Sequence, residues 1–173
     1  RRRLTLKALS AAVGEADAEA MQFVRGAFDF VWSWGVIHHS SRTALIVRRI
    51  SESLNEGGEA RVMVYNREGA SAWAVLLRDY LLKGGFRKRT FDEQLWNGSD
   101  GFTARHYVKE QFADLFRAFF RDVRAEICGQ DADALPLPRQ LRRLIIPRVS
   151  PDRLAAAQAR RGAFVFVCAT SPF

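Results

Sequence analysis

Short apolar runs alternate with amphipathic stretches along this chain, a pattern that predicts strands separated by helices. The clearest run is Phe28–Trp34, where apolar residues occupy both faces of a strand. A strand that is apolar on both faces is typical of a sheet covered on both sides. Similar runs predict four further strands, the first of them short and weak: Ala11–Ala16, Ala60–Asn66, Val123–Cys128 and Ala163–Thr170.

Helical periodicity fills the intervals between these strands. After Ser40 and Ser41, which are typical N-cap residues, large apolar side chains recur with helical spacing until the Gly57-Gly58 pair, where we expect the helix to end. Three more helices are predicted from the same periodicity or from cap residues: Trp73–Leu81, Val108–Phe119 and Ser150–Gly162.

The alternation of strands and helices predicts an α/β fold with a mostly parallel sheet. We expect residues 1–173 to form a single domain. Residues 84–106 are polar and glycine-containing, and are expected to form a loop or lid. Residues 129–162 are expected to be an insertion before the last strand, irregular up to residue 149 because three prolines interrupt it.

Composition narrows the class of protein. Apolar residues make up 48% of the 173, which is enough for a folded core. The apolar runs are all shorter than the roughly 18 residues of a membrane-spanning helix. The two cysteines have no zinc-site spacing, so we expect no metal and a reducing, cytoplasmic location. The chain opens with Arg1-Arg2-Arg3 and no initiating Met, so we expect it to be part of a longer protein.

The net charge of +8 favours an anionic partner, which could be nucleic acid, a membrane surface or an acidic substrate. The arginines are also scattered enough to be ordinary residues of solvated faces. The densest group lies near the C-terminus, where seven arginines between residues 139 and 161 alternate with Leu and Ile. This segment is either an element that lies on an anionic membrane or an irregular excursion that covers the sheet.

The end of the strand Phe28–Trp34 is the strongest candidate site. The strand stops at Gly35 and is followed at once by His38 and His39. In open α/β sheets the ligand crevice lies just beyond the carboxyl ends of the strands. A turn that carries polar, aromatic and imidazole side chains is therefore expected at the crevice.

Four segments together resemble a known family. In chain order they are Asp17–Phe23, Phe28-Asp29, Ser33–His39 and Gly57–Arg61. They resemble the class I S-adenosylmethionine-dependent methyltransferases, close to the ubiquinone/menaquinone-methyltransferase-like group. The resemblance implies a Rossmann-like sheet, mostly parallel with an antiparallel last strand. It also implies methyl transfer from S-adenosylmethionine to a small-molecule acceptor.

Part of the family's pattern is missing from this chain. There is no G-x-G-x-G loop, and no acidic residue at the end of a second strand. The resemblance thus implies the C-terminal part of the domain, lacking the first two strands of the sheet. We expect this fragment to bind S-adenosylmethionine weakly or not at all, and to be inactive alone.

The resemblance assigns cofactor contacts to five residues. Asp17 would accept a hydrogen bond from the adenine amino group and the Ala18 N–H would reach a ring nitrogen. Ser33, Trp34 and Gly35 would lie beside the methionine part and the transferable methyl group. The residues alone also permit a simpler structure, in which Asp17 stabilises a turn and Trp34 packs in a core.

Two further sets of residues are candidates for chemistry. His38 or His39 could be a general base, because imidazole titrates near neutral pH, or both could simply open a helix while positioning does the catalytic work. Candidate substrate contacts follow the next strand or precede the helix after the lid, and could equally be solvated loop residues: Tyr65, Arg67, Arg105 and Tyr107, with Asn66 and His106 beside them.

A second class of function stays open at this point. The chain could be a non-catalytic basic module that binds nucleic acid or an anionic membrane surface. We do not expect nucleic acid, because no aromatic–basic signature of an RNA-binding fold is present. Peripheral membrane contact is compatible with the sequence, and the oligomeric state is not predicted.

Overall fold

The computed structural model describes residues 10–98 and 104–173. The strands are β1 (Phe28–Trp34), β2 (Leu54–Asn66), β3 (His106–Tyr107), β4 (Phe120–Cys128) and β5 (Phe164–Pro172). The α-helices are α1 (Thr43–Ser53), α2 (Ala70–Val75), α3 (Phe91–Gly98), α4 (Lys109–Arg117), α5 (Asp131–Ala134), α6 (Arg139–Ile145) and α7 (Pro151–Arg161). A π-helical stretch, Leu76–Leu82, continues α2, and three 3₁₀ turns complete the set: Ile37–His39, Gly85–Arg87 and Ile146–Arg148.

The five strands form one mixed sheet in the order β1-β2-β5-β4, and the short β3 pairs with the end of β2. β1 and β3 run parallel to β2, whereas β5 is antiparallel to both β2 and β4. Four strands therefore share one direction and β5 opposes them. This confirms the predicted α/β sheet, mostly parallel with an antiparallel last strand.

The connection from α1 to β2 differs from the prediction. The helix ends at Ser53, and Leu54 already pairs with Phe28 of β1. The Gly57-Gly58 pair was expected to end the helix but lies within β2, where the register with β1 shifts. Gly57 has φ +85°, a conformation that glycine adopts readily and that suits a bulge. The helix start also differs, since Ser40 Oγ accepts a hydrogen bond from Arg42 N one turn before α1.

The weak strand predicted at Ala11–Ala16 is not formed. These residues are extended or irregular, exposed, and paired with none of the described strands. A strand needs a neighbour to satisfy its backbone N–H and C=O groups. The small side chains of this segment also offer little apolar area to hold it against the sheet.

One face of the sheet carries the core. Alternate residues of the two central strands, such as Val62, Val64, Val165 and Val167, are buried against α1 and α4. Helix α1 contributes Ile46, Val47 and Ile50, and α4 contributes Phe112 and Phe116. Both helices show the apolar spacing that the sequence predicted for them.

The opposite face of the sheet is open among the described residues. Trp32 is 52% exposed and Trp34 is 49% exposed, and Phe30 beside them is also exposed. Phe28–Trp34 is therefore a strand, as predicted, but it is not covered on both sides. The expectation failed because two-sided hydrophobicity in a sequence cannot show which part of the protein covers each face.

The two segments expected to be irregular contain helices. α3 lies within residues 84–106, and α5 and α6 lie within residues 129–149. α7 (Pro151–Arg161) is the helix that the sequence predicted at Ser150–Gly162. Pro136 and Pro138 precede α6 and Pro147 follows it, so the prolines bound this helix rather than interrupt it. None of the helices in the described ranges is both long and apolar enough to cross a membrane.

Candidate functional site

Three parallel strands end at the same edge of the sheet and position the candidate site. β1 ends at Trp34, β2 ends at Asn66, and β3 pairs with the last two residues of β2. After β1 the chain turns at Gly35, whose N–H donates to the Met63 carbonyl at 3.2 Å. The 3₁₀ turn Ile37–His39 then carries the two histidines past the end of β1.

An aromatic and imidazole cluster occupies this edge. The ring of His38 is buried and lies 4.6 Å from the ring of Tyr65, centroid to centroid. The ring of Tyr65 stacks on that of His106 at 5.2 Å. His39 is exposed, with its ring 4.2 Å from that of His38. The two neighbouring histidines thus have different environments, and His38 is the one packed into the cluster.

His106 has a defined proton on one ring nitrogen. Its Nδ1 lies 3.1 Å from the Ala104 carbonyl, which can only accept, so Nδ1 carries the proton. Burial lowers the pKa of His106 below its usual value, which favours the neutral ring near pH 7. The Nε2 of a neutral ring with this tautomer is a proton acceptor.

The sequence placed His106 among substrate contacts and did not include it with the candidate bases. The two-residue strand β3 that carries it is too short to give a periodic signal. Its parallel pairing, Tyr65 with His106, is what brings the imidazole into the cluster. The one signal in the sequence for His106 was that it lies between Arg105 and Tyr107, two candidate substrate contacts.

The arginines near the cluster have separate partners. Arg67 Nε donates to the Asp92 carboxylate at 2.7 Å, and its guanidinium lies over the ring of Phe91. Arg105 donates its backbone N–H to the His38 carbonyl at 3.0 Å. Its guanidinium lies 5.6 Å from the Trp96 ring centroid. α3 therefore positions both side chains.

Tyr107 and Asn66 are engaged in packing and in the loop structure. The Tyr107 hydroxyl shares a hydrogen bond with Thr43 Oγ1 at 2.8 Å, and its ring packs on Phe112. Asn66 is buried, donates from Nδ2 to the Gly162 carbonyl at 2.8 Å, and accepts from Glu68 N. Their polar atoms join elements of the fold at the carboxyl edge.

A second feature is a cavity of about 410 Å³ along the edge of β1 that β2 does not occupy. Ala18 and Ser33 both line it, whereas Asp17 and Trp34 do not. The walls are otherwise mainly apolar and include Phe23 and Ile50. Ser33 Oγ is shielded from solvent and has no hydrogen-bond partner among the described residues.

The other residues expected near the cofactor have local contacts. An Asp17 carboxylate oxygen accepts from Glu19 N at 2.9 Å in a turn. The indole of Trp34 stacks on that of Trp32, with a centroid distance of 5.5 Å and an interplanar angle of 5°. It lies on the open face of the sheet rather than in a core. Across residues 10–98 and 104–173, no three His, Cys, Asp or Glu side chains group as a metal site.

The comparisons with known proteins agree with this geometry. Residues 1–62 match the family model described as methyltransferase domain. No curated protein sequence matches the chain. A structure from Thermotoga maritima, described as an S-adenosylmethionine-dependent methyltransferase and possible histamine N-methyltransferase, superposes with TM-score 0.55 at 18% identity. The chain has the class I methyltransferase fold.

Two other solved structures show the range of proteins with this fold. The [4+2]-cyclase SpnF superposes with TM-score 0.58 at 19% identity over 99% of this chain. A phosphoethanolamine N-methyltransferase 2 from Haemonchus contortus, in complex with S-adenosylmethionine, gives TM-score 0.53 at 16% identity over 91% of this chain. The Thermotoga match covers 90% of this chain.

The chain spans only part of these proteins. It covers 62% of the Thermotoga protein, 61% of the cyclase and 36% of the Haemonchus enzyme. One of the three carries the name of a cyclase, so the fold by itself does not determine the reaction.

Proposed function

We propose that the intact protein transfers a methyl group from S-adenosylmethionine to a small-molecule acceptor. The observation that carries this proposal is the cluster of His38, Tyr65 and His106 at the carboxyl edge of the sheet. It lies next to the turn at Gly35, in a chain whose first 62 residues match a methyltransferase domain. We also propose that the protein belongs to the ubiquinone/menaquinone-methyltransferase-like group.

The edge cavity is the candidate position for the adenosine end of the cofactor. Its apolar walls suit a flat adenine ring, and Ser33 Oγ offers a shielded polar atom that lacks a partner in the described chain. Ala18 lies in the same cavity, and Asp17 is its neighbour in the turn. We propose that Asp17, Ala18 and Ser33 hold this end, with Trp34 and Gly35 nearer the reacting centre.

The same cavity lacks partners for the rest of the cofactor. Its lining contains two serines and no charged side chain, whereas the amino-acid part of the cofactor carries both an ammonium and a carboxylate. We propose that these groups are bound by a part of the protein outside this chain. The fragment is thus expected to bind S-adenosylmethionine weakly and to be inactive alone.

Proton removal from the acceptor is assigned to the histidines. The cofactor supplies an electrophilic methyl group, and an O–H or N–H acceptor must lose a proton as the new bond forms. His106 Nε2 is suited to take that proton, because the Ala104 carbonyl fixes the proton on Nδ1. His38 and His39 remain candidates for the same role, and a large part of the rate enhancement is expected from positioning.

Four residues are proposed to form the wall of the substrate site: Tyr65, Arg67, Arg105 and Tyr107. Tyr65 presents an aromatic ring beside the buried imidazole of His38 and the half-buried imidazole of His106. Arg105 forms no ion pair within the described residues, so it is available to an anionic group of the acceptor, whereas Arg67 is already paired with Asp92. Tyr107, whose hydroxyl bonds Thr43, would act by supporting this wall.

A reducing, cytoplasmic location is proposed from the two free cysteines, Cys128 and Cys168.

The experiment is methyl transfer from a labelled donor by the intact protein, with small oxygen, nitrogen and carbon nucleophiles as acceptors. Transfer that is lost in His106→Gln but retained in Arg117→Gln, an exposed residue far from the cluster, supports the proposal. Absence of labelled product with every acceptor class, in a protein that binds the donor, would count against it.

Titration calorimetry separately tests the proposal that this chain holds only part of the cofactor site. The intact protein is expected to bind S-adenosylmethionine, whereas residues 1–173 alone are expected to give weak heats or none. Binding by residues 1–173 in the low-micromolar range would show that this chain holds every group the cofactor needs. The proposal that part of the cofactor site lies outside this chain would then be wrong.

A further inference from the structure

A dense group of unpaired positive charges lies on α6, α7 and the turn between them. Between residues 139 and 161 the only acidic residue is Asp152, against seven arginines. None of the seven makes an ion pair with a described residue. They are Arg139, Arg142, Arg143, Arg148, Arg153, Arg160 and Arg161. The segment therefore presents a strong local excess of positive charge.

Aliphatic side chains are exposed among these arginines. Leu144 of α6 is 61% exposed, and Leu141 and Leu137 nearby are also exposed. The arginine side chains fold back locally: Arg142 Nη1 donates to the Leu137 carbonyl at 3.1 Å, and Arg148 donates to the Leu144 carbonyl. A group of exposed aliphatic residues bordered by charges is typical of a surface that binds a partner.

A groove of about 480 Å³ joins this segment to a second exposed apolar helix. Trp73, Ala74 and Leu77 of the α2 region form one wall, and Pro136 with Arg160 and Arg161 forms the other, with Glu68 also lining it. Trp73 is 62% exposed and Leu77 is 58% exposed. An apolar wall thus lies directly against two unpaired arginines.

We infer that this basic–aliphatic surface, defined as Leu137, Leu141, Leu144, Trp73, Leu77 and the seven arginines, binds the surface of an anionic lipid bilayer. Phosphate groups match the arginines, and the aliphatic and indole side chains match the boundary between headgroups and acyl chains. Arginine stems can lie along apolar surface while the guanidinium groups reach the phosphates. The inference does not depend on methyl transfer.

Nucleic acid is the other polyanion that such charges could bind, and the aliphatic residues argue against it. Single-stranded nucleic acid is bound by stacking on aromatic rings, and duplex backbones by hydrogen-bond donors. The arginines and Trp73 of this surface suit either partner, but exposed Leu141, Leu144 and Leu77 provide neither stacking nor hydrogen-bond donors. A bilayer is the partner that uses both the charges and the aliphatic side chains.

The test is co-sedimentation of the intact protein with vesicles of equimolar phosphatidylcholine and phosphatidylglycerol, and with vesicles of phosphatidylcholine alone. Binding is expected with the anionic vesicles only. Arg142→Gln with Arg143→Gln should weaken it roughly 30-fold, as expected for two basic residues at an anionic surface. Leu141→Gln with Leu144→Gln should weaken it roughly tenfold or more, because two aliphatic side chains leave the membrane boundary.

The matched control is Arg117→Gln with Arg121→Gln, which removes the same charge near the amino end of β4, and it should leave vesicle binding unchanged. All variants alter exposed or half-exposed side chains, and circular dichroism verifies their fold. Three results would overturn the inference: no binding to anionic vesicles, equal loss in the control pair, or full binding by the leucine pair. Binding of a polynucleotide that depends on Arg142 and Arg143, without vesicle binding, would assign the surface to nucleic acid instead.

Discussion

At the scale of single residues, the three histidines have three different environments. His38 is buried against Tyr65, His39 is exposed, and His106 is held by the Ala104 carbonyl in one tautomer. Nothing in the string His38-His39 distinguishes the two neighbours. The 3₁₀ turn that carries them assigns one to the cluster and one to solvent, and the pairing of β3 with β2 adds the third.

We predict that the activity of the intact protein depends on unprotonated His106. Because burial lowers the pKa of His106, the rate should rise with pH along a limb centred below the usual imidazole pKa of about 6.5. His106→Gln should reduce kcat roughly 100-fold or more and remove that limb. The measurement is a pH–rate profile.

His38→Gln and His39→Gln are the comparison variants for this prediction. If the limb persists in His106→Gln but disappears in one of these two, that residue is the proton acceptor and the assignment to His106 is wrong. A limb that persists in all three variants would remove the histidines from proton transfer altogether.

At the scale of elements, two helices with similar apolar spacing have opposite surroundings. In α4, Phe112 and Phe116 are fully buried against the sheet. In the α2 region, Trp73 and Leu77 are exposed on the groove beside α7. Amphipathic periodicity thus predicted both helices, but it did not determine whether each apolar face packs on the core.

We predict that truncations on these two helices differ strongly in cost. Phe116→Ala should destabilise the protein by about 3–5 kcal/mol, as for large side chains in a packed core. Leu77→Ala should change the free energy of unfolding by less than about 0.5 kcal/mol, as for exposed positions. Urea unfolding measures both. A comparable loss for Leu77→Ala would mean that its face is packed in the protein.

At the scale of the whole molecule, the sheet is covered on one face and open on the other. On the open face, Trp32, Trp34 and Phe166 form a connected aromatic patch, with ring centroids 5.5–6.3 Å apart. β1 also pairs with β2 alone among the described strands, so its other edge is paired with none of them. An exposed aromatic patch beside a free strand edge favours association.

We predict that residues 1–173, prepared alone, self-associate as their concentration rises. Trp34→Lys, which adds a charge to the middle of the patch at an exposed position, should shift the chain toward monomer. Phe86→Lys, an exposed aromatic residue outside the patch, should not. Sedimentation velocity gives the answer. A chain that stays monomeric at every concentration would contradict the prediction.

The sequence by itself determined the features that rest on local periodicity. The strand Phe28–Trp34, the two core helices and the last strand follow from side-chain periodicity, which acts over a few positions. The antiparallel direction of the last strand was implied by the family resemblance and not by periodicity. The turn at Gly35 with its two histidines was predicted for the same reason, because it directly follows the strongest strand.

Tertiary structure decided everything that depends on a partner distant in the chain. Ala11–Ala16 is not a strand, since it pairs with none of the described strands. β2 begins at Leu54, six residues before the predicted start at Ala60, because Leu54 pairs with Phe28. His106 joins Tyr65 through a two-residue pairing, and Trp34 faces outward because none of the described helices covers it. Pairing and coverage are properties of neighbours in space, and a pattern along the chain does not contain them.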